Sequence, residues 1–336
     1  MEDMSTPVPL PSLDHLLDSA RVVSLPLRTR FRGITTREAL LFSGPAGWSE
    51  FSPFVEYDTA ESSTWLAGAL DFAYRPVTGV LRERIPVNAT VPAVEAEALE
   101  AILALYPGCT TAKIKVAEPG QGLGQEIARV ARTRELMGPD ARLRVDANGL
   151  WSVDQAEEAL RALAPYRLEY AEQPCATVPE LAELRARLSG LGIPIAADES
   201  VRKASDPLAV ARAGAADLLV VKAQPLGGIT RARALIAETG LPVVVSSALD
   251  TSVGLSMGAL LAATVPGLDF ACGLGTAALL AADVTESPLL PINGSIAAAR
   301  VEVSPALLDE YRAAPEREAW WFARLAACHG YLAERA

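Results

Sequence analysis

From Ile85 onward, short apolar runs recur at nearly constant intervals, each followed by a polar stretch carrying helix signals. Eight strand candidates stand at 86–90, 112–116, 143–147, 168–172, 194–198, 218–222, 243–247 and 269–273, and they begin 24 to 31 residues apart. Short apolar runs bounded by turn residues read as buried strands. The gaps hold helix starts: Ser152 with Gln155 and Thr177 with Glu180 have capping-box spacing, Pro179 sits early in the second of these helices, and Ser205 with Pro207 opens another. Gly108, Gly190, Gly214 and Gly240 stand where helices should end. The period lies in segment length and not in repeated residues, which signals βα units and not a solenoid. Eight strands alternating with helices predict a TIM-type barrel in preference to a doubly wound sheet.

Upstream of residue 85 the texture differs. Pro7, Pro9 and Pro11 mark a loose arm with a short helix after it. Strand patterns follow at Arg21–Arg30, Thr35–Phe42 and Trp48–Phe51, the last two joined by the turn Gly44-Pro45-Ala46-Gly47. Asp58 and Glu61 form a capping box for a helix that carries Trp65, Leu66, Leu70 and Phe72 and stops near Pro76. This is a small α+β domain. After Pro291 the barrel period ends. Ser304-Pro305 caps a final helix, and Trp320, Trp321 and Phe322 form a bulky cluster, so this aromatic tail is expected to cover the barrel or the N-terminal domain.

Composition narrows the function. The net charge of −11, with no basic cluster, argues against nucleic acid. Half of the 336 residues are hydrophobic, enough for a large core. The acidic start Met1-Glu2-Asp3-Met4 lacks a secretory pattern, and the most apolar run, Gly254 to Leu268, is cut by Ser256 and Pro266. A cytoplasmic location is therefore expected. Cys109, Cys175, Cys272 and Cys328 are scattered and read as reduced thiols. His15 and His329 lie near the termini without metal-ligand neighbours, so acid–base chemistry falls to another residue type.

Three carboxylates follow apolar runs at matched phase. Asp146, Glu172 and Asp198 are each 26 residues from the next. One carboxylate per βα unit brings all three to one mouth of a closed barrel. There they repel unless a positive group sits between them, and a hard divalent cation such as Mg²⁺ suits oxygen donors. Three acids exposed in three separate loops would not need that phase. Lys113 and Lys115 share a strand face, Arg144 shares that of Asp146, and Lys222 ends the run Leu218–Val221. A lone strand-end lysine reads as a solvated or ion-paired residue. Lysines on opposite sides of a ring, with carboxylates between them, read as acid–base groups. Neighbouring positive charge should lower a lysine's pKa and let it act as a base.

The set Lys113-Ile114-Lys115, Val145-Asp146-Ala147-Asn148, Glu172-Gln173-Pro174, Asp198-Glu199-Ser200 and Val221-Lys222 resembles the enolase superfamily in its muconate-lactonizing branch. The likeness covers almost the whole chain. It implies an α+β capping domain at 1–84, completed by C-terminal helices at about 300–336, on a modified (β/α)₇β TIM barrel at 85–299. Within that branch, the runs Gly47–Phe54, Pro86–Pro92 and Cys272–Thr276 are similar to the o-succinylbenzoate synthase family of actinobacterial type.

The resemblance implies Mg²⁺, with Mn²⁺ as a substitute, on Asp146, Glu172 and Asp198. It makes Lys115 the base on one face of a small-molecule carboxylate substrate and Lys222 the cation on the other. Lys113 and Arg144 would support Lys115 and the substrate carboxylate, and Asn148 and Glu199 would orient the metal ligands. Ser246, Ser247 and Gly273 would hold the succinyl end, and the Arg28–Ile34 connection would help close the mouth. The implied reaction is syn-dehydration of 2-succinyl-6-hydroxy-2,4-cyclohexadiene-1-carboxylate to o-succinylbenzoate, in menaquinone biosynthesis. An N-succinylamino acid racemase or dipeptide epimerase would keep the fold and the lysine pair, and a non-catalytic metal-binding barrel would keep only the acids. Neither nucleic acid nor membrane is an expected partner. The termini are expected to pack together over the catalytic mouth, with the Trp48–Phe54 loop enclosing substrate.

Overall fold

The alternating N-terminal segments pair as an antiparallel meander. In the computed structural model, which describes residues 9–202 and 206–335, helix α1 (Leu13–Ser19) precedes β1 (Arg21–Phe31), β2 (Ile34–Gly44) and β3 (Gly47–Phe51). Strands β1 and β2 keep register from Arg21↔Leu41 to Pro26↔Thr36, then shift before Phe31↔Ile34. The hairpin tip is tight because Arg32 and Gly33 both adopt positive φ, 49° and 78°. Helix α2 (Thr59–Tyr74) starts where Asp58 accepts a 2.8 Å hydrogen bond from Glu61 N. Its Trp65, Leu66 and Ala69 pack against Leu40, Phe42 and Phe51 of the sheet. Each such buried large side chain stabilises the cap by about 1.5–3 kcal/mol.

The chain then passes through β4 (Arg84–Pro86), β5 (Ala89–Val91), α3 (Leu99–Leu103), β6 (Thr111–Lys115), α4 (Leu123–Met137), β7 (Arg142–Asp146), α5 (Val153–Leu163) and β8 (Leu168–Glu172). It continues through α6 (Val178–Arg187), β9 (Ile195–Ala197), α7 (Glu199–Arg202), α8 (Ala209–Arg212), β10 (Leu218–Val221), α9 (Ile229–Thr239), β11 (Val243–Val245) and α10 (Ser252–Thr264). Strands β5 to β11 form a seven-stranded parallel sheet in sequence order. Parallel bridges Val87↔Cys272 and Ser246↔Gly273 join its two ends. The eighth expected strand, 269–273, thus narrows to Cys272 and Gly273, and its flank at Asp269 is exposed. The first expected strand, 86–90, divides: β4 turns away to pair antiparallel with β12 (Ser295–Ala297), and only β5 enters the barrel.

Ser152 with Gln155 and Thr177 with Glu180 form reciprocal capping boxes on α5 and α6. Gly240 ends α9 at φ 65°. Helix α6 closes at Leu188, ahead of Gly190. The start expected at Ser205 lies outside the described residues. Every residue of α10 is buried, as a helix apolar on all faces requires. Among the described residues, no helix is long and apolar enough to cross a membrane.

The C-terminal helices expected at about 300–336 are α11 (Pro305–Glu310) and α12 (Pro315–Ala333). They part at 311–314 because Pro315 cannot continue a helix from its predecessor. Helix α12 packs on the cap sheet and α2. Trp321 is fully buried, 6.0 Å edge-on from Phe51, and its Nε1 donates to Glu38 Oε2 at 2.9 Å. The two terminal helices meet on the cap, where His329 Nε2 lies 2.8 Å from Pro11 O.

Candidate active site

Parallel strands that start at one end of a barrel finish at the other, so the residues closing them share one mouth. Lys115 closes β6, Asp146 closes β7 and Glu172 closes β8, while Asp198 and Lys222 directly follow β9 and β10. Register sets their heights: Lys115 pairs with Asp146, and Asp146 with Glu172. All three acids are buried, none more than 1% exposed.

Ammonium groups stand between these carboxylates. Lys115 Nζ is 2.6 Å from Asp146 Oδ2 and 2.5 Å from Asn148 Oδ1. Lys113 Nζ is 2.7 Å from Glu172 Oε1 and 3.1 Å from Asp146 Oδ2. Lys222 Nζ donates to Asp198 Oδ2, and Arg202 Nε donates to Asp198 Oδ1 at 3.2 Å. Glu172 Oε2 is buried with no hydrogen-bond partner. Among the described residues, no three His, Cys, Asp or Glu side chains are gathered as a metal cage in this arrangement; the acids are joined through the lysines.

The charges differentiate neighbours. Burial opposes the charge on Asp146, but Lys115 and Lys113 outweigh it and hold this carboxyl well below the usual range. Burial likewise opposes Asp198, and Lys222 and Arg202 overcome it. Glu172 goes the other way: burial, reinforced by Asp146, pushes it up to about 7. Burial also separates the two lysines of β6. It pushes Lys115 down, with the charge of Lys113 adding to the effect against Asp146. For Lys113, Glu172 and Asp146 overcome burial and hold the group well above the ordinary lysine value. One lysine is biased toward the neutral amine and its neighbour is kept cationic.

A cavity opens over these groups. The barrel lines it with Thr90, Lys113, Lys115, Asp146, Asn148, Arg202 and Lys222, and the closing segments add Ser246, Ser247, Ala248, Leu249, Gly273 and Thr276. Phe31 and Arg32, at the β1–β2 hairpin tip, complete it. Ser247 Oγ donates to Gly273 O at 2.7 Å and meets Thr276 Oγ1 at 2.8 Å. Asn148, in the left-handed region at φ 49°, links Lys115 to Glu199 Oε1 at 3.2 Å.

With this geometry in place, comparison with known proteins gives a family. Residues 94–302 match the family described as Enolase C-terminal domain-like, and residues 22–73 match Enolase N-terminal domain-like. The chain belongs to the enolase superfamily. It is 53% identical to o-succinylbenzoate synthase of Mycolicibacterium smegmatis, over 96% of this chain and 99% of that protein. It is 54% identical to o-succinylbenzoate synthase of Mycobacterium tuberculosis, over 96% and 97%. Among solved structures, muconate lactonizing enzyme from Pseudomonas fluorescens matches with a TM-score of 0.75 at 19% identity, covering 88% of this chain and 98% of that one. The L-Ala-D/L-Glu epimerase from Bacillus subtilis matches at 0.71 and 22%, covering 86% and 96%. These two likenesses confirm the barrel-and-cap fold.

Against this superfamily frame, most residues singled out in the sequence converge. Lys113, Lys115, Asp146, Asn148, Lys222, Ser246, Ser247 and Gly273 line the cavity, with Glu172, Asp198 and Glu199 directly behind them. Arg144 does not reach the cavity. Its Nε pairs with Glu169 Oε2 at 2.5 Å, its Nη1 donates to Ala271 O at 2.7 Å, and its guanidinium stacks 4.6 Å from the Tyr170 ring. Residues two apart on a strand share a face but occupy successive layers, and Arg144 belongs to the layer below the acids. The Trp48–Phe54 segment is also absent from the lining. It acts one step back, with Arg32 stacked 4.0 Å over Phe54. Arg202, Thr90, Ala248, Leu249 and Thr276 were not anticipated as site residues. Thr90 and Thr276 lie in runs that carry the family resemblance, and Arg202 left a signal in its spacing of four from Asp198 on a helical turn.

Proposed function

We propose that this chain catalyses the syn-dehydration of 2-succinyl-6-hydroxy-2,4-cyclohexadiene-1-carboxylate to o-succinylbenzoate, in menaquinone biosynthesis, as a cytoplasmic hydro-lyase. Residues 1–84 with about 300–336 act as the cap and 85–299 as the catalytic barrel. The observation that carries the reading is the opposed pair Lys115 and Lys222, each hydrogen-bonded to a different buried strand-end carboxylate of one cavity. The activity itself follows from relatives of that name over nearly the full length.

The donor set suits a divalent cation. Three buried carboxylates share the site, the charges of Asp146 and Asp198 oppose ionisation of Glu172, and Glu172 Oε2 has no partner. Asp146, Glu172 and Asp198 would hold the ion, Mg²⁺ by the hardness of the oxygens, with Mn²⁺ as its substitute. When bound, it supplies charge stabilisation to the substrate carboxylate whose α-proton is lost.

Lys115 carries the proton. The Lys115 amine removes the proton beside the carboxylate and becomes an ammonium. It then returns that proton to the departing hydroxyl on the same face, so water leaves and the ring becomes aromatic. Lys222, anchored on Asp198, stays cationic opposite and favours the negative charge that builds up. Lys113 stays charged and neutralises Glu172 and Asp146. Ser246, Ser247 and Gly273 shape the end that receives the succinyl arm.

The test compares Lys115→Ala and Lys222→Arg for dehydration, N-succinylamino acid racemization and deuterium uptake at the α-carbon. Lys115→Ala should lose about 10²–10⁴-fold or more in dehydration, because the group acts twice. Lys222→Arg should keep part of the dehydration and lose racemization, since arginine is a very poor base. Normal dehydration by Lys115→Ala would refute the assignment.

A further inference from the structure

Arg202 takes no part in the proton transfers above, yet its side chain is only 3% exposed and its fork is fully engaged. It lies at the end of the single turn α7, four residues after Asp198 and three after Glu199, so its head returns to both carboxylates. Nε donates to Asp198 Oδ1 at 3.2 Å, Nη2 to Glu199 Oε1 at 2.7 Å and Nη1 to the hydroxyl of Tyr57 at 3.1 Å. We infer that Arg202 is a positioning residue that orients both reacting lysines and ties that orientation to the seating of the cap.

The connections run both ways from one planar group. Through Asp198, whose Oδ2 accepts from Lys222, Arg202 sets the carboxylate that anchors the electrostatic lysine. Through Glu199, whose Oε1 also accepts from Asn148 Nδ2, it reaches the amide whose Oδ1 holds Lys115 at 2.5 Å. Asn148 is fixed in turn by its own N–H, which donates to Asp146 Oδ1 at 3.1 Å. The third arm leaves the barrel. Tyr57 lies in the cap between β3 and α2, its ring 5.6 Å from Phe54 and 6.1 Å from Trp65. A shift of the cap therefore pulls on the same guanidinium that aligns the barrel's reacting groups. A rigid fork suits this task, because its three arms hold fixed angles. Hydrogen-bond partners that orient ligands and bases typically matter 10–100-fold.

The inference rests on the roles proposed for Lys115 and Lys222, which Lys115→Ala and Lys222→Arg test without touching Arg202. If Lys115→Ala is inactive and Arg202→Gln is unimpaired, only the present inference falls. The experiment measures steady-state dehydration by the full chain and, without substrate, calorimetric Mn²⁺ affinity. Arg202→Gln should lower kcat about 10–100-fold with KM within threefold, and weaken Mn²⁺ about tenfold, because Asp198 loses its second anchor. Arg202→Lys, which keeps charge without the fork, should lie between. Either kcat or Mn²⁺ affinity remaining within threefold of the parent in folded Arg202→Gln overturns the inference, as does a loss carried by KM alone. Should Arg202→Gln fail to fold, Tyr57→Phe decides: a kcat loss of threefold or more at unchanged KM supports the inference, and a smaller loss overturns it.

Discussion

A methyl group on Gly273 would run into Ser246 Oγ and sit 3.1 Å from Ser246 Cβ. Ser246 Oγ can rotate away, Ser246 Cβ must give by a few tenths of an ångström, and Gly273 has no positive φ to forbid a Cβ. Gly273→Ala should therefore fold with a modest loss of stability, turn Ser246 aside and narrow the cavity. KM should rise roughly tenfold, a cost of about 1.4 kcal/mol in binding, with kcat much less affected. Kinetics with a melting curve separate the two. A similar contrast divides the lysines of β6. Lys113 and Lys115 differ by one strand repeat, yet burial pushes the Lys115 ammonium below the ordinary lysine value while Glu172 and Asp146 hold Lys113 above it.

Helix α2 and the barrel meet where one residue has no side chain. A Cβ on Gly68 would lie 2.9 Å from both Gln224 O and Gly228 N, which are backbone atoms and cannot swing away. Helix propensity alone favours alanine by about 1 kcal/mol. Overpacking costs about 1–3 kcal/mol, so Gly68→Ala should lower Tm where propensity would raise it. Glu50 of β3 joins the cap to α10. Its Oε2 accepts from Thr251 N, Thr251 Oγ1 and Gly254 N at 3.0, 2.6 and 3.1 Å, and Ser52 Oγ donates to Oε1. Burial, with the charge of Asp250 added, pushes Glu50 up to about 7 from 4.5 although Arg37 opposes it. The folded state thus holds this proton more tightly than the unfolded chain does. Its contribution to stability is complete below about 4.5 and lost as pH rises through about 7, roughly 3 kcal/mol in all. Tm measured from pH 5 to 8 should decline less steeply in Glu50→Gln than in the parent.

At the scale of the molecule, the role proposed for the three buried acids of one mouth predicts effects on both activity and stability. Thorough chelation should abolish dehydration and Mg²⁺ should restore it, while Asp146→Ala, Glu172→Ala or Asp198→Ala should each remove most of it. Mg²⁺ at about 100 times its Kd should stabilise the folded chain by about 2.7 kcal/mol. Melting curves with and without Mg²⁺ check this, and Asp198→Ala should lose most of the shift. Full activity after chelation would exclude the metal. The cap is part of the same unit, because the Phe31–Arg32 tip lines the cavity and Tyr57 reaches Arg202.

Features that depend on period and phase were legible along the chain. Apolar runs at constant spacing dictated parallel strands, and carboxylates closing successive runs had to arrive at one mouth, because parallel strands end together. The caps at Ser152 and Thr177 were equally local, since a capping box involves only four residues. Tertiary structure decided what depends on depth and distance. Face alternation is periodic in two, but a strand position does not say how far down the barrel a long side chain will point. That is why Arg144 turned to Glu169 and Ala271 while Lys113 rose to Glu172. Nor could local pattern reveal the partners of Arg202, for Tyr57 lies 145 residues away and meets it only when the cap is seated.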